Sequence, residues 1–291
     1  MCRHLLDCSV LSIVFGLTTA LCFASGILAN SRSIRVIGNA SVLAWIMLVG
    51  FVVTLPFTIT AGWPSNLSGT TLIWFIISGA GNLGGLLISF YALRIGKVGV
   101  VAPILACEGA IAATISAIMG ESIAPIAIFI LMFIVAGVVV SAIAPDPAPI
   151  AHEKPVQAVI LAILGAGAFG ISLFATGHLS TELPIGWLLL PTRLFGVVFI
   201  LIPLLLTRRL QVTRSVVPLL VIGGLAEVLG FTAYAIGAQY SVAVTSVLAS
   251  QFATFGAIGA YLLFRERLGK LQITGVVMLI VGVAALTIAS G

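Results

Sequence analysis

Pro145-Asp146-Pro147-Ala148-Pro149-Ile150-Ala151-His152-Glu153-Lys154-Pro155 is the one long polar, proline-rich run in a chain that is otherwise almost continuously apolar. Closely spaced prolines cannot continue a helix, so the run reads as a linker. Five apolar stretches precede it, roughly 10 to 29, 40 to 61, 70 to 92, 98 to 119 and 123 to 143. Five follow, roughly 157 to 177, 184 to 206, 216 to 236, 241 to 263 and 271 to 289. Each has about the ~20 residues that a helix needs to cross a bilayer. The expected organisation is a five-helix unit over 1–144, a linker over 145–156 and a second five-helix unit over 157–291.

Composition supports that division. Of 291 residues, 61% are hydrophobic and 7% are Asp, Glu, Lys or Arg, and the mean hydropathy is +1.29. A soluble domain spends about a quarter of its residues on charge, so these few charges cannot clothe a soluble surface. The fold class that follows is an all-α polytopic membrane protein. The net charge of +5 includes no basic run interleaved with aromatics, the one cluster being Arg265, Arg267 and Lys270. Nucleic acid is therefore not an expected partner. Cys2, Cys8, Cys22 and Cys107 show neither C-x-x-C spacing nor a His at ligand distance, so no metal site, disulfide framework or cofactor is expected.

The equal halves suggest duplication. Tyr91-Ala92-Leu93 aligns with Tyr234-Ala235-Ile236, and the same offset puts Ala106-Cys107-Glu108 on Ala249-Ser250-Gln251. Glu121 and Gly137 have the spacing of Glu266 and Gly282, and Cys22-Phe23-Ala24-Ser25 matches Phe169-Gly170-Ile171-Ser172. Because residues 10 to 29 have a counterpart inside the chain, they read as a first membrane helix and not as a signal peptide.

Charge placement orients the copies. Arg32, Arg35, Arg94, Lys97, Lys154, Arg208, Arg209, Arg214, Arg265, Arg267 and Lys270 fall in alternate loops; Arg3 lies on the other side and Arg193 within a stretch. The positive-inside rule makes those loops cytoplasmic and both termini extracytoplasmic. An odd number of spans per copy then makes the two copies antiparallel, as in inverted-repeat transporters.

With these residues in view, the chain resembles the drug/metabolite transporter superfamily, and within it the EamA-type ten-helix exporters. The resemblance runs from about residue 10 to 289 and is carried by Tyr91-Ala92-Leu93-Arg94, Ala102-Pro103-Ile104, Gly120-Glu121-Ser122 and Arg265-Glu266-Arg267-Leu268. The first stretch has Phe23-Ala24-Ser25 where the family pattern has a Trp-Gly-Ser type of motif. The resemblance implies two inverted five-helix repeats around a central cavity that carries small metabolites, amino acids among them, outward by alternating access. Stretches three, four, eight and nine are expected to line the cavity, with one and six alongside.

Polar residues in mid-span are the best pointers to a site, because a central charge costs ~2.5–3.5 kcal/mol on insertion scales and persists with a partner or a water-filled cavity. Glu108 lies about ten residues into the fourth stretch and Glu227 about eleven into the eighth, ~15 Å deep at 1.5 Å per residue. Gln251 and Asn82 occupy similar depths, and Arg193 is nearer the outer third of the seventh stretch. Glu108 and Glu227 are candidate proton carriers or anchors for a substrate ammonium, Arg193 a candidate anchor for a carboxylate. The competing reading is a permanent pair of Arg193 with one of the two acids. Asn82 and Gln251 read as interhelical hydrogen-bonding groups or cavity lining. Pro103, five residues before Glu108, removes a backbone donor and reads either as a helix break or as a tolerated membrane proline.

Gly79-Ala80-Gly81-Asn82-Leu83-Gly84 and Gly165-Ala166-Gly167-Ala168-Phe169-Gly170 satisfy G-x-G-x-x-G literally but lack its strand-to-helix context, and close helix contact is the better account. His178 reads as interfacial, as do Trp63, Trp74, Trp187 and the tyrosines at stretch ends. Trp45 is the tryptophan expected to lie deeper.

The functional expectation is a secondary transporter exporting amino acids or related metabolites, coupled to H⁺ if coupled. It would be an integral protein of a bacterial inner (plasma) membrane. Its expected partners are a small-molecule substrate and membrane lipids, with a monomer as the working form. The alternative is an intramembrane lipid-modifying enzyme. Against it, His4, His152 and His178 lie outside the deep core and no Ser/His or metal-ligand spacing occurs.

Overall fold

The computed structural model describes residues 2–64, 67–95, 101, 104–121, 123–142, 154–256 and 270–289. The helices are α1 (Cys2–Ile37), α2 (Asn39–Thr60), α3 (Gly69–Ile95), α4 (Glu108–Ile118) and α5 (Pro125–Ala142), then α6 (Pro155–Leu179), α7 (Ile185–Leu206), α8 (Val217–Ala238), α9 (Val242–Ala249) and α10 (Lys270–Ala289). Among the described residues there is no strand. Six of these helices contain apolar segments long enough to cross a membrane, and shorter apolar helices run over Ile104–Ile118, Pro125–Gly137 and Val242–Gly256.

Helix ends depart from the apolar boundaries for local reasons. α1 continues beyond its apolar stretch past Arg32 and Arg35, and the chain then turns at Gly38, whose φ of 79° suits glycine. α6 starts at Pro155, inside the expected linker, because a proline in the first helical turn has no N–H to lose. In α7 a π-turn over Val197–Leu201 sits immediately ahead of Pro203, with the Ile202 N–H donating to Val197 O. A regular turn would press the Pro203 ring on the Phe199 carbonyl, and the wider turn relieves it.

The packing pairs obey the inverted repeat. α3 lies along α6 and α1 along α8, each pair joining the third helix of one half to the first of the other; α2 meets α7, α4 meets α9 and α5 meets α10. Small residues set these contacts. A Cβ on Gly81 would stand 3.0 Å from Ala168 O, and one on Gly85 2.6 Å from the Phe169 ring, so α3 and α6 approach at the Gly81-x-x-x-Gly85 face. Ser78 and Thr176 hydroxyls share a 2.7 Å hydrogen bond there, and Ser172 Oγ donates to Ser78 O at 2.8 Å. In the symmetry-related pair, Thr19 Oγ1 of α1 donates to Gly230 O of α8 at 3.2 Å. With lipid tails as apolar as the side chains, close packing and such bonds hold the helices together.

Trp45 is not a deep residue. It is half-buried near the start of α2, and its Nε1 donates to Gln211 O in the α7–α8 loop at 2.9 Å. Trp187 Nε1 likewise donates to Gly62 O at 2.8 Å, and its ring meets Trp63 edge-on at 5.1 Å. Both indole N–H groups thus find carbonyl partners at loops or helix ends, where amphipathic rings are favoured.

Candidate functional site

Arg193 and Glu227 meet. The Arg193 Nη1 donates to Glu227 Oε2 at 2.6 Å, joining α7 to α8. The side chain of Arg193 is fully buried while that of Glu227 keeps 16% exposure, so the acid is the more accessible partner of the pair. The rest of the Arg193 lining is soft: Met47 Sδ lies 3.7 Å from Nη1 and the Phe231 ring 5.4 Å from Cζ. A polarizable sulfur and the face of an aromatic ring both favour a cation. Nε and Nη2 have no hydrogen-bond partner among the described residues. Gly50 of α2 makes room for the side chain, since a Cβ there would stand 2.7 Å from Arg193 Cδ and 2.8 Å from Nε. Gly50, Met47 and Phe231 carry no sequence signal of this role, being ordinary residues for a membrane helix.

Glu108 and Gln251, the repeat counterparts, sit at matching breaks in the fourth and ninth spans. In the fourth, the Cys107 N–H turns to Ile104 O at 3.2 Å, three residues back, and the helix restarts at Glu108 as α4. In the ninth, the Gln251 N–H turns to Leu248 O at 3.1 Å. That slip releases the Val247 carbonyl, which accepts instead from Ser250 Oγ at 2.8 Å and Gln251 Nε2 at 3.3 Å. Among the described residues the Gln251 amide is thus used within its own helix break. Pro103, the expected cause of the first break, lies outside the described residues. The second break occurs with Ser246 at the equivalent position, so a proline is not what the two breaks share.

The breaks lie where α4 and α9 cross. A Cβ on Gly109 would stand 2.3 Å from Ser246 O and 2.8 Å from Ser250 Oγ, so only glycine permits the approach. Glu108, beside it, is 6% exposed and makes no ion pair among the described residues. Asn82 is buried in α3, with Nδ2 unpartnered among the described residues.

One helical turn beyond the acids an apolar layer closes the interior. On α8 the residues Glu227, Phe231, Tyr234 and Ala238 share a face at helical spacing, and on α4 Glu108, Ala112 and Ser116 do the same. Ala112, Phe174, Phe231 and Tyr234 form one buried cluster at the intermediate level. Tyr234 is fully buried, its hydroxyl donating to Leu173 O at 2.7 Å and lying 2.9 Å from Ser246 Oγ.

Beyond that layer, where α4, α6 and α8 end and α9 begins, lies a cleft of about 290 Å³ lined in part by Ser116, Glu121, Phe174, His178, Tyr240 and Ser241. From Glu108 to Ser116 is about 12 Å at 1.5 Å per residue. Gly120, with φ of 104°, ends α4 in the left-handed turn that sends the Glu121 N–H back to Ser116 O at 3.1 Å. The Glu121 carboxylate then reaches the start of α9, accepting from Ser241 Oγ at 2.6 Å and the Ala243 N–H at 3.3 Å, and also from Ser116 Oγ. His178, in the last turn of α6, stacks on Phe174 at 6.0 Å, meets Trp74 at 5.2 Å and stands 3.8 Å from Glu182.

Known proteins place this arrangement. A solved structure titled "Crystal structure of protein" superposes with a TM-score of 0.79 over 96% of this chain and 97% of that one, at 16% identity, which shows the shared fold. No curated protein matches the sequence. A family model, that of the EamA-like transporter family, matches twice, over residues 10–143 and 156–288. With one match on each half of a bundle whose helices pair by an inverted repeat, the chain belongs to the EamA-like transporter family.

Proposed function

We propose that the protein is a proton-coupled secondary transporter that exports amino acids or related small metabolites by alternating access between its halves, 1–144 and 157–291. The observation that carries this reading is the unequal treatment of two interior acids. Glu227 has its charge matched by Arg193 at 2.6 Å, whereas Glu108 has no counter-ion among the described residues and stands at a helix break on the α4–α9 crossing. A carboxylate without a partner carries charge cheaply when its side of the cavity is wet and loses it when the cavity is dry. Glu108 is therefore the proton carrier and Glu227 a fixed acid that presents one oxygen edge to the substrate. This divides the roles that depth alone had left equal. The membrane is the bacterial inner membrane, with both termini outside and the basic loops within.

The test is a metabolite panel in proteoliposomes, with and without a pH gradient. Glu108→Gln is expected to abolish gradient-driven transport while retaining exchange of labelled for unlabelled substrate, because exchange needs no net proton movement. Gradient-driven transport surviving in Glu108→Gln would remove the coupling assignment. Turnover of a lipid by the purified protein, without solute flux, would remove the transporter reading itself.

A further inference from the structure

We infer that the cleft at the ends of α4, α6 and α8 is a vestibule site for organic ammonium ions, taking the amine end of a transported molecule whose apolar body lies on the aromatic wall. The inference rests on the transporter reading for its claim that the ligand is cargo. The binding site itself rests on geometry.

Three features select a cation. The titratable groups lining the cleft are Glu121, His178 and Tyr240, and among the described residues neither Lys nor Arg lines it. A second carboxylate, Glu182, stands behind the imidazole at 3.8 Å and also accepts from Thr71 Oγ1 at 3.1 Å. Part of the wall is aromatic: Phe174, stacked on His178, and Tyr240 line the cleft, and Trp74 packs on Phe174 at 5.6 Å from outside the lining. Ring faces attract ammonium ions and repel carboxylates.

The Glu121 carboxylate is built in place. Its bonds from Ser241, Ser116 and Ala243 occupy three of roughly four lone-pair directions, leaving one for a donor from the ligand. The α9 N-terminus offsets part of its charge, so the aromatic wall is needed as well. At about 290 Å³ the cleft is at the small end of ligand pockets and fits an amine with a single ring. The layer of Phe174, Phe231 and Tyr234 separates it from Glu108 and Glu227. An ammonium held at Glu121 is therefore outside the interior site, on the path to or from it.

Equilibrium binding of phenethylammonium and of phenylpropionate, an anion of similar shape, to the full chain in lipid nanodiscs tests the site by calorimetry. Phenethylammonium is expected to bind saturably, one per chain, and phenylpropionate not at all. Glu121→Gln should weaken binding about tenfold or more, the size of one charge-assisted hydrogen bond. Because Gln cannot accept every bond that holds α9, a second variant is needed. Thr181→Lys puts a cation at the exposed rim without touching the wall, and should weaken binding severalfold. Equal affinity for the two probes, or wild-type affinity in both folded variants, overturns the site. Loss of binding with metabolite flux intact removes the vestibule and leaves the transporter reading standing; binding without any flux does the reverse.

Discussion

Glu227→Ala strands a buried guanidinium, and the structure says how much that should cost. Arg193 is fully buried, with one charged partner at 2.6 Å, and two of its nitrogens have no partner among the described residues. Breaking a buried pair by removing one partner costs about 3–5 kcal/mol, because the remaining charge is left uncompensated. The 16% exposure of Glu227 admits some screening and moves the expectation to the lower end, about 3 kcal/mol, or roughly a hundredfold in the unfolding equilibrium. Arg193→Met strands the less buried partner and should cost less. The double replacement, Arg193→Met with Glu227→Leu, removes both charges and should recover most of the loss, since apolar substitutes of similar volume are often neutral. Reversible unfolding in mixed micelles, followed through the four tryptophans, measures all three. A loss below about 1 kcal/mol for Glu227→Ala would place the pair among weak surface ion pairs and refute the reasoning. So would an Arg193→Met loss exceeding it, or a double variant no better than the sum of the singles.

Other consequences follow from the same contacts. Gly50→Ala drives a Cβ to 2.7 Å from Arg193 Cδ and should destabilise by about 1–3 kcal/mol, whereas Gly84→Ala, with no neighbouring atom within 4 Å, should be neutral or stabilising by about 0.5–1 kcal/mol in the same unfolding assay. Ser241→Ala removes both the bond to Glu121 and the cap on the Val244 N–H, worth about 1 kcal/mol; hydrogen exchange should quicken at Ala243 and Val244 and stay unchanged beyond Val247.

Ten spans were legible because a bilayer sets their length and hydropathy records it. The halves were legible because the linker Pro145 to Pro155 interrupts that pattern and the basic loops alternate on either side of it. Glu108, Glu227, Arg193, Asn82 and Gln251 stood out for a related reason, since polar groups in mid-span are costly enough to be rare. Hydropathy reports depth along a helix but not direction around it or which helix stands beside it. The partner of Arg193 therefore stayed open between two acids at equal depth until α7 was found against α8 and α2. Pro103 pointed to a break near Glu108, but the matching one at Gln251 left no trace, because moving one N–H from the fourth carbonyl back to the third changes no composition. Glu121 was visible as a repeat marker between spans four and five, yet its grip on α9 depends on a contact between residues 120 positions apart. Local physics wrote the apolar spans and their division into two halves into the chain. The ion pair, the crossing at Gly109 and the aromatic cleft arise where distant segments touch, and only packed coordinates hold that information.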